Sequence, residues 1–63
     1  MFIKLTLRSG KSMWFNVFLM ESITDEDLYS NVLFRGNENP IEVKETPKEI
    51  VKVIEEMKKW AIN

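Results

Sequence analysis

The hydrophobic period of this chain changes once, at Thr46, and no other feature constrains its fold as much. Before that residue, apolar and polar side chains alternate in short runs; after it, apolar residues recur every three or four positions. Alternation sends successive side chains to opposite faces of a strand, whereas the longer period draws one stripe along a helix. The chain is therefore expected to build a sheet first and then to cover it with a single helix.

The boundary is written in "VKETPKEI", residues 43–50. Thr46 is placed as the N-cap, Pro47 as the first helical residue, and Glu49 three positions after the cap. Thr-x-x-Glu is a capping box, in which each side chain accepts a backbone N–H that the first turn leaves unpaired. Proline at the first helical position gives up a donor that would have had no partner there. Downstream, Ile50, Val53, Ile54, Met57, Trp60 and Ala61 form one apolar stripe, with Lys52, Glu56 and Lys59 on the wet face. Glu55 and Lys59 stand in a favourable i,i+4 relation.

Upstream, residues 2–8 alternate, with Ile3, Leu5 and Leu7 facing inward and Phe2, Lys4, Thr6 and Arg8 facing outward. Ser9-Gly10 makes a tight turn. Residues 12–16 return as a second strand, Met13 and Phe15 on one face and Ser12, Trp14 and Asn16 on the other; which of these faces is buried stays open, because Trp14 is itself large and apolar. Residues 16–18 read as a bend and 19–23 as a short third strand. Asp25, Glu26 and Asp27 make a polar tip. Residues 29–35 are a fourth strand with Val32 and Phe34 inward and Ser30 on the same face; after the loop closed by Pro40, Ile41 and Val43 mark a short fifth. The expected architecture is one α+β domain over residues 1–63. An antiparallel meander of four to five short strands, partly rolled, occupies about 2–45 and packs against a C-terminal helix over about 46–61.

A chain of 63 residues buries only about 60% of the surface that it exposes when unfolded, so its core needs support. It has no cysteine and no histidine, which excludes disulfides, thiolate or imidazole metal sites, and Cys–His or Ser–His nucleophilic catalysis. Its 44% hydrophobic residues supply a core, and a partner subunit is the other remedy open to it. The formal net charge of −1 gives no general attraction to nucleic acid or to anionic membrane. The opening residues alternate where a signal peptide would form an apolar block. The longest apolar stretch, residues 13–20, is far too short to span a bilayer. The sequence therefore reads as cytoplasmic, with no membrane insertion.

Two motifs resemble binding sites and are read otherwise. "DEDLYSN", residues 25–31, has the alternate acidic positions of a calcium loop, but Ser30 and Gly36 stand where the EF-hand needs Gly and Glu. It is a solvated turn. "RSGKS", residues 8–12, ends like a P-loop but lacks the first Gly and leads into a strand. It is a hairpin turn. No carboxylate pair sits in a recognisable catalytic constellation, so neither an enzyme nor a cofactor is expected.

One constellation remains. Phe2, Lys4, Thr6 and Arg8 lie beside Trp14 and Asn16 on one strand face, with Phe18 nearby. Cations interleaved with aromatics on an open sheet are how small β domains hold single-stranded nucleic acid. The same face can equally be a protein contact, with Trp14 packed against another copy or another protein. The interaction surface is thus placed on Phe2, Lys4, Arg8, Trp14 and Phe18. Because the chain is too small to hide these side chains, a homo-oligomer is expected, with Trp14 near the centre of the contact.

The pattern runs I-x-L-T from Ile3, G-K at Gly10, N-x-x-L-M-E-x-I from Asn16, V-x-F-x-G from Val32 and V-K-E-T-x-x-E-I from Val43. In that order it resembles the FlbD/SwrD family of small flagellar and swarming-motility proteins, and the match covers most of the chain. The chain departs from that pattern in a longer linker at 25–29, in its GNENP loop and in its aromatic second strand. Short phage and prophage proteins look similar. The resemblance implies a non-enzymatic bacterial or phage cytoplasmic protein that acts through partners, with the flagellar motor as its context and no catalytic residues to carry over. A single-stranded nucleic-acid-binding domain using Phe2, Lys4, Arg8 and Trp14 is the alternative.

Overall fold

A computed structural model describes residues 1–61, with side chains through residue 59. Five antiparallel strands precede one helix: β1 (Phe2–Thr6), β2 (Ser12–Asn16), a single 3-10 turn (Val17–Leu19), β3 (Met20–Asp25), β4 (Ser30–Phe34), β5 (Ile41–Val43) and α1 (Pro47–Ala61). The α+β class expected from the sequence is the one observed.

The strands divide into a two-stranded sheet, β1–β2, and a three-stranded sheet in the order β3–β4–β5. The meander is interrupted where Asn16 caps the 3-10 turn, its Oδ1 accepting from the Phe18 N–H at 3.1 Å. That turn replaces the bend expected at 16–18 and delays β3 to Met20. The two sheets meet again at the far side, where Leu7 forms an isolated antiparallel bridge to Val43 and the Lys44 N–H donates to the Thr6 carbonyl at 2.8 Å. The sheet is thereby rolled, with β1 beside β5 and β2 joined to β3 through the 3-10 turn.

The roll surrounds a core of Ile3, Leu5, Phe15, Val32, Phe34, Val43 and Ile50. Phe15 from the first sheet stacks on Phe34 from the second, ring centroids 5.1 Å apart. Ile50 carries α1 into this core, with Ile54 and Met57 packed against it. Lys52, Glu56 and Lys59 are exposed as expected, whereas Trp60 lies beyond the described side chains.

Three sequence expectations are corrected. Val53 is 37% exposed and stands off the core: α1 crosses the narrow roll near β1 and β3, and the stripe that it buries is narrower than the sequence pattern. Leu7 lies past the end of β1 and is only half-buried, because the chain leaves the ladder there to bridge β5. Among the described residues the only ion pair is Arg8–Glu42, so Glu55 and Lys59 are both exposed without pairing. That outcome fits the small worth of exposed helix pairs.

Candidate interaction surface

Register decides which way the first hairpin faces. Ile3 pairs with Phe15 and Leu5 with Met13, while Phe2 pairs with Asn16, Lys4 with Trp14 and Thr6 with Ser12. Directly paired residues share a face. Burial of Ile3, Leu5 and Phe15 therefore turns Phe2, Lys4 and Trp14 outward. Trp14 is 62% exposed, and the Lys4 Nζ stands 5.9 Å from its ring centroid, within cation–π range. Phe2 is 54% exposed beside it, and Phe18, carried by the 3-10 turn, is 68% exposed. Met13 shares the inward face but is nearly half exposed, toward the turn end of the hairpin and away from the Phe15–Phe34 stack.

Arg8 has a different destination. Its guanidinium lies 4.2 Å from the Tyr29 ring centroid and donates to Glu42 Oε1 at 3.1 Å. Arg8 is thus committed to β5 and the start of β4, and four of the five residues assigned to the surface, Phe2, Lys4, Trp14 and Phe18, remain as exposed groups of β1, β2 and the 3-10 turn.

Where β1 approaches α1, a polar hub replaces the aromatic surface. The Thr6 N–H donates to both carboxylate oxygens of Glu45, at 2.9 and 3.1 Å, and the Thr6 hydroxyl donates to Oε2 at 2.8 Å. Ser30, fully buried, donates its hydroxyl to the Glu45 carbonyl at 2.7 Å. Glu45 thus ties both sheets to the residue before the helix cap. Sequence pattern gave no signal for it, because a single Glu in an exposed-looking run does not reveal which strand edge it will meet.

The capping box closes in both directions. The Thr46 N–H donates to Glu49 Oε1 at 2.9 Å and the Glu49 N–H donates to Thr46 Oγ1 at 3.2 Å. The Thr46 backbone N–H, and then its hydroxyl, hold the Glu49 carboxyl below its ordinary range. The β3–β4 connection turns through Asp27 at φ 72° and leaves Leu28 largely in solvent. The sequence read this tip only as polar.

Among the described residues no group of three acidic side chains is placed to hold a metal ion, and no helix is long and apolar enough to cross a membrane. Comparison with protein-family models, curated proteins and solved structures returns no match to this chain.

Proposed function

We propose that this chain is a small cytoplasmic protein-interaction module of the FlbD/SwrD kind, of bacterial or phage origin, and that it binds through Phe2, Lys4, Trp14 and Phe18. One observation carries the reading: three large aromatic side chains stay more than half exposed on a domain of 63 residues. Isolated apolar residues on a surface are ordinary, but neighbouring aromatics with a cation at their edge have the composition of contact surfaces. A non-enzymatic role accords with a chain that lacks Cys and His and in which the convergent polar groups, Thr6, Glu45 and Ser30, bond one another. Flagellar motility is the context that the resemblance in residues 3–50 supplies.

The test replaces Phe18 with a photo-reactive aromatic in cells of the native host. Irradiation is expected to give one discrete cross-linked protein, lost when Trp14→Ser is added. Cross-linking that ignores Trp14→Ser would remove the surface from the proposal. A swarming defect in the Trp14→Ser strain at unchanged protein level would tie the module to motility, and normal swarming would remove that context.

The nucleic-acid reading keeps one supporting observation, Lys4 over Trp14. Its second cation, Arg8, is paired with Glu42 and stacked on Tyr29, and the chain is net negative. Salt-sensitive micromolar binding of single-stranded DNA that Trp14→Ala abolishes would reinstate it.

A further inference from the structure

We propose that β2 pairs edge to edge with β2 of a second copy of this chain, antiparallel, with Trp14 on the two-fold axis. The inference deepens the reading of this region as an interaction surface by naming one occupant and its register.

The phase of the β1–β2 ladder fixes which backbone groups are free. Just outside the two strands, the Leu7 N–H donates to the Lys11 carbonyl at 2.8 Å and the Val17 N–H to the Met1 carbonyl at 2.9 Å. Hydrogen-bonded pairs alternate along an antiparallel ladder, so Met13 and Phe15 aim their backbone groups at β1. Ser12, Trp14 and Asn16 aim theirs away from it. The same phase on β1 sends Thr6 outward, where its N–H meets Glu45 and its carbonyl meets Lys44. Among the described residues β2 has no other strand beside it, so Ser12, Trp14 and the Asn16 N–H form an open edge, which ends where Asn16 caps the 3-10 turn.

The two strands that end the sheets are treated differently. β3 carries Glu21 and Asp25, has a bulge between Met20 and Ser22, and lies against α1. Charges, bulges and covering helices are the devices that keep an edge from pairing. β2 reads Ser-Met-Trp-Phe-Asn, with no charge, no proline and a regular register. Its edge is also self-complementary. With Trp14 opposite its symmetry mate, each Trp14 N–H meets the other Trp14 carbonyl, and Ser12 stands opposite Asn16 of the second copy. Lys4 lies on the far side of each Trp14, which separates the two ammonium groups by about three strand spacings, roughly 14 Å. At that distance salt screens their repulsion.

The chain has no cysteine, so introduced thiols report the register directly. Two variants, Ser12→Cys and Asn16→Cys, are prepared and their folding is checked by circular dichroism. Opposed residues in this pairing have Cα atoms about 5.5 Å apart, within disulfide range, whereas two copies of Ser12 lie roughly 14 Å apart along and across the strands. Mild oxidation is expected to link the two variants when they are mixed and to link neither variant alone. Sedimentation of the unmodified chain is expected to show a monomer–dimer equilibrium that Trp14→Ser shifts to monomer. A dimer whose thiols link in the single variants, or not at all in the mixture, overturns the edge register but leaves the interaction surface standing. A monomer at millimolar concentration overturns self-pairing, and a partner photo-cross-linked to Phe18 in that case assigns the surface to a different protein.

Discussion

On the seam between the two sheets, polar groups that leave water find partners. Ser30 is fully buried and bonded, Thr6 is chelated by Glu45, and Arg8 is held between Glu42 and Tyr29. On the outer face of the first hairpin the reverse holds: Phe2, Trp14 and Phe18 are large, apolar and left in water. Both regions rest on the same strand, since β1 turns Ile3 and Leu5 to the core and Phe2 and Lys4 away from it. Stability is invested in the seam and the core, and the aromatic face contributes little to holding the chain folded. If that division is right, substitutions should grade steeply from the core to the seam to the face.

The largest effect belongs to Phe15. It is almost fully buried and forms the stacked contact with Phe34 that joins the two sheets. Phe15→Ala should cost about 3–5 kcal/mol, against a core margin that rarely exceeds about 3–5 kcal/mol at this size. The variant is expected to lose near-ultraviolet dichroism at room temperature. If it unfolds cooperatively at the wild-type urea midpoint, the two sheets are held together by something other than this pair.

Glu45 comes next. Its carboxylate accepts from both the backbone and the hydroxyl of Thr6, and hydrogen bonds to charged groups are worth about 1.5–3 kcal/mol. Glu45→Ala should lower the urea midpoint by an amount within that span. Thr6→Val should recover part of the loss in the double variant, because one of the deserted donors is then gone. Independent, additive losses would mean that the two residues stabilise separately and that the Thr6–Glu45 bonds do not act as one unit.

The helix cap is smaller again. Thr46→Ala should cost about 1 kcal/mol, and an unchanged midpoint would place the start of the helix elsewhere. Its partner also carries a pH signature. The folded-state pKa of Glu49 is lowered by its bonds to Thr46. The stabilisation is therefore complete above the unfolded carboxyl pKa of 4.5 and is lost as pH falls through the lower folded value. Glu49→Gln keeps a capping side chain but cannot titrate. The difference in urea midpoint between wild type and Glu49→Gln should be constant near neutrality and change only below about pH 4.5, to the cost of the wild type. A difference that already drifts between pH 6 and 8 would exclude Glu49 as its source.

The cap is also the clearest case of what sequence makes legible. A capping box is local: its donors and acceptors lie within four residues, so Thr46, Pro47 and Glu49 announce the helix without knowledge of the rest of the chain. The strands are nearly as plain, since alternation at Ile3, Leu5, Val32 and Phe34 needs only the pleat. What stays hidden is long-range. The bridge from Leu7 to Val43 and the reach of Glu45 to Thr6 join residues far apart in sequence, and both follow from how the sheet rolls. Arg8 shows the consequence. Alternation places it with Lys4, and the roll then brings Tyr29 and Glu42 within its reach. Val53 fails for a related reason, because helical spacing says which residues align but not how wide a stripe the narrow roll will cover.

The smallest effect on stability is expected at Trp14, and it is the most informative about the face. Deleting a large aromatic from a core would cost several kcal/mol, but Trp14 is mostly in solvent, with the Lys4 ammonium over its ring. A cation–π contact at an exposed site is worth about 0.5–1 kcal/mol. Trp14→Ser should therefore shift the urea midpoint of dilute protein by no more than that amount. The same substitution should change association far more than folding, because a side chain that does little for the monomer is free to serve a contact. The comparison is cleanest when unfolding is followed at two protein concentrations. Wild-type stability should rise with concentration, as it does whenever folding is linked to assembly, while the variant's should not. If Trp14→Ser instead lowers stability by several kcal/mol at every concentration, Trp14 belongs to the structural core and the division between seam and face collapses.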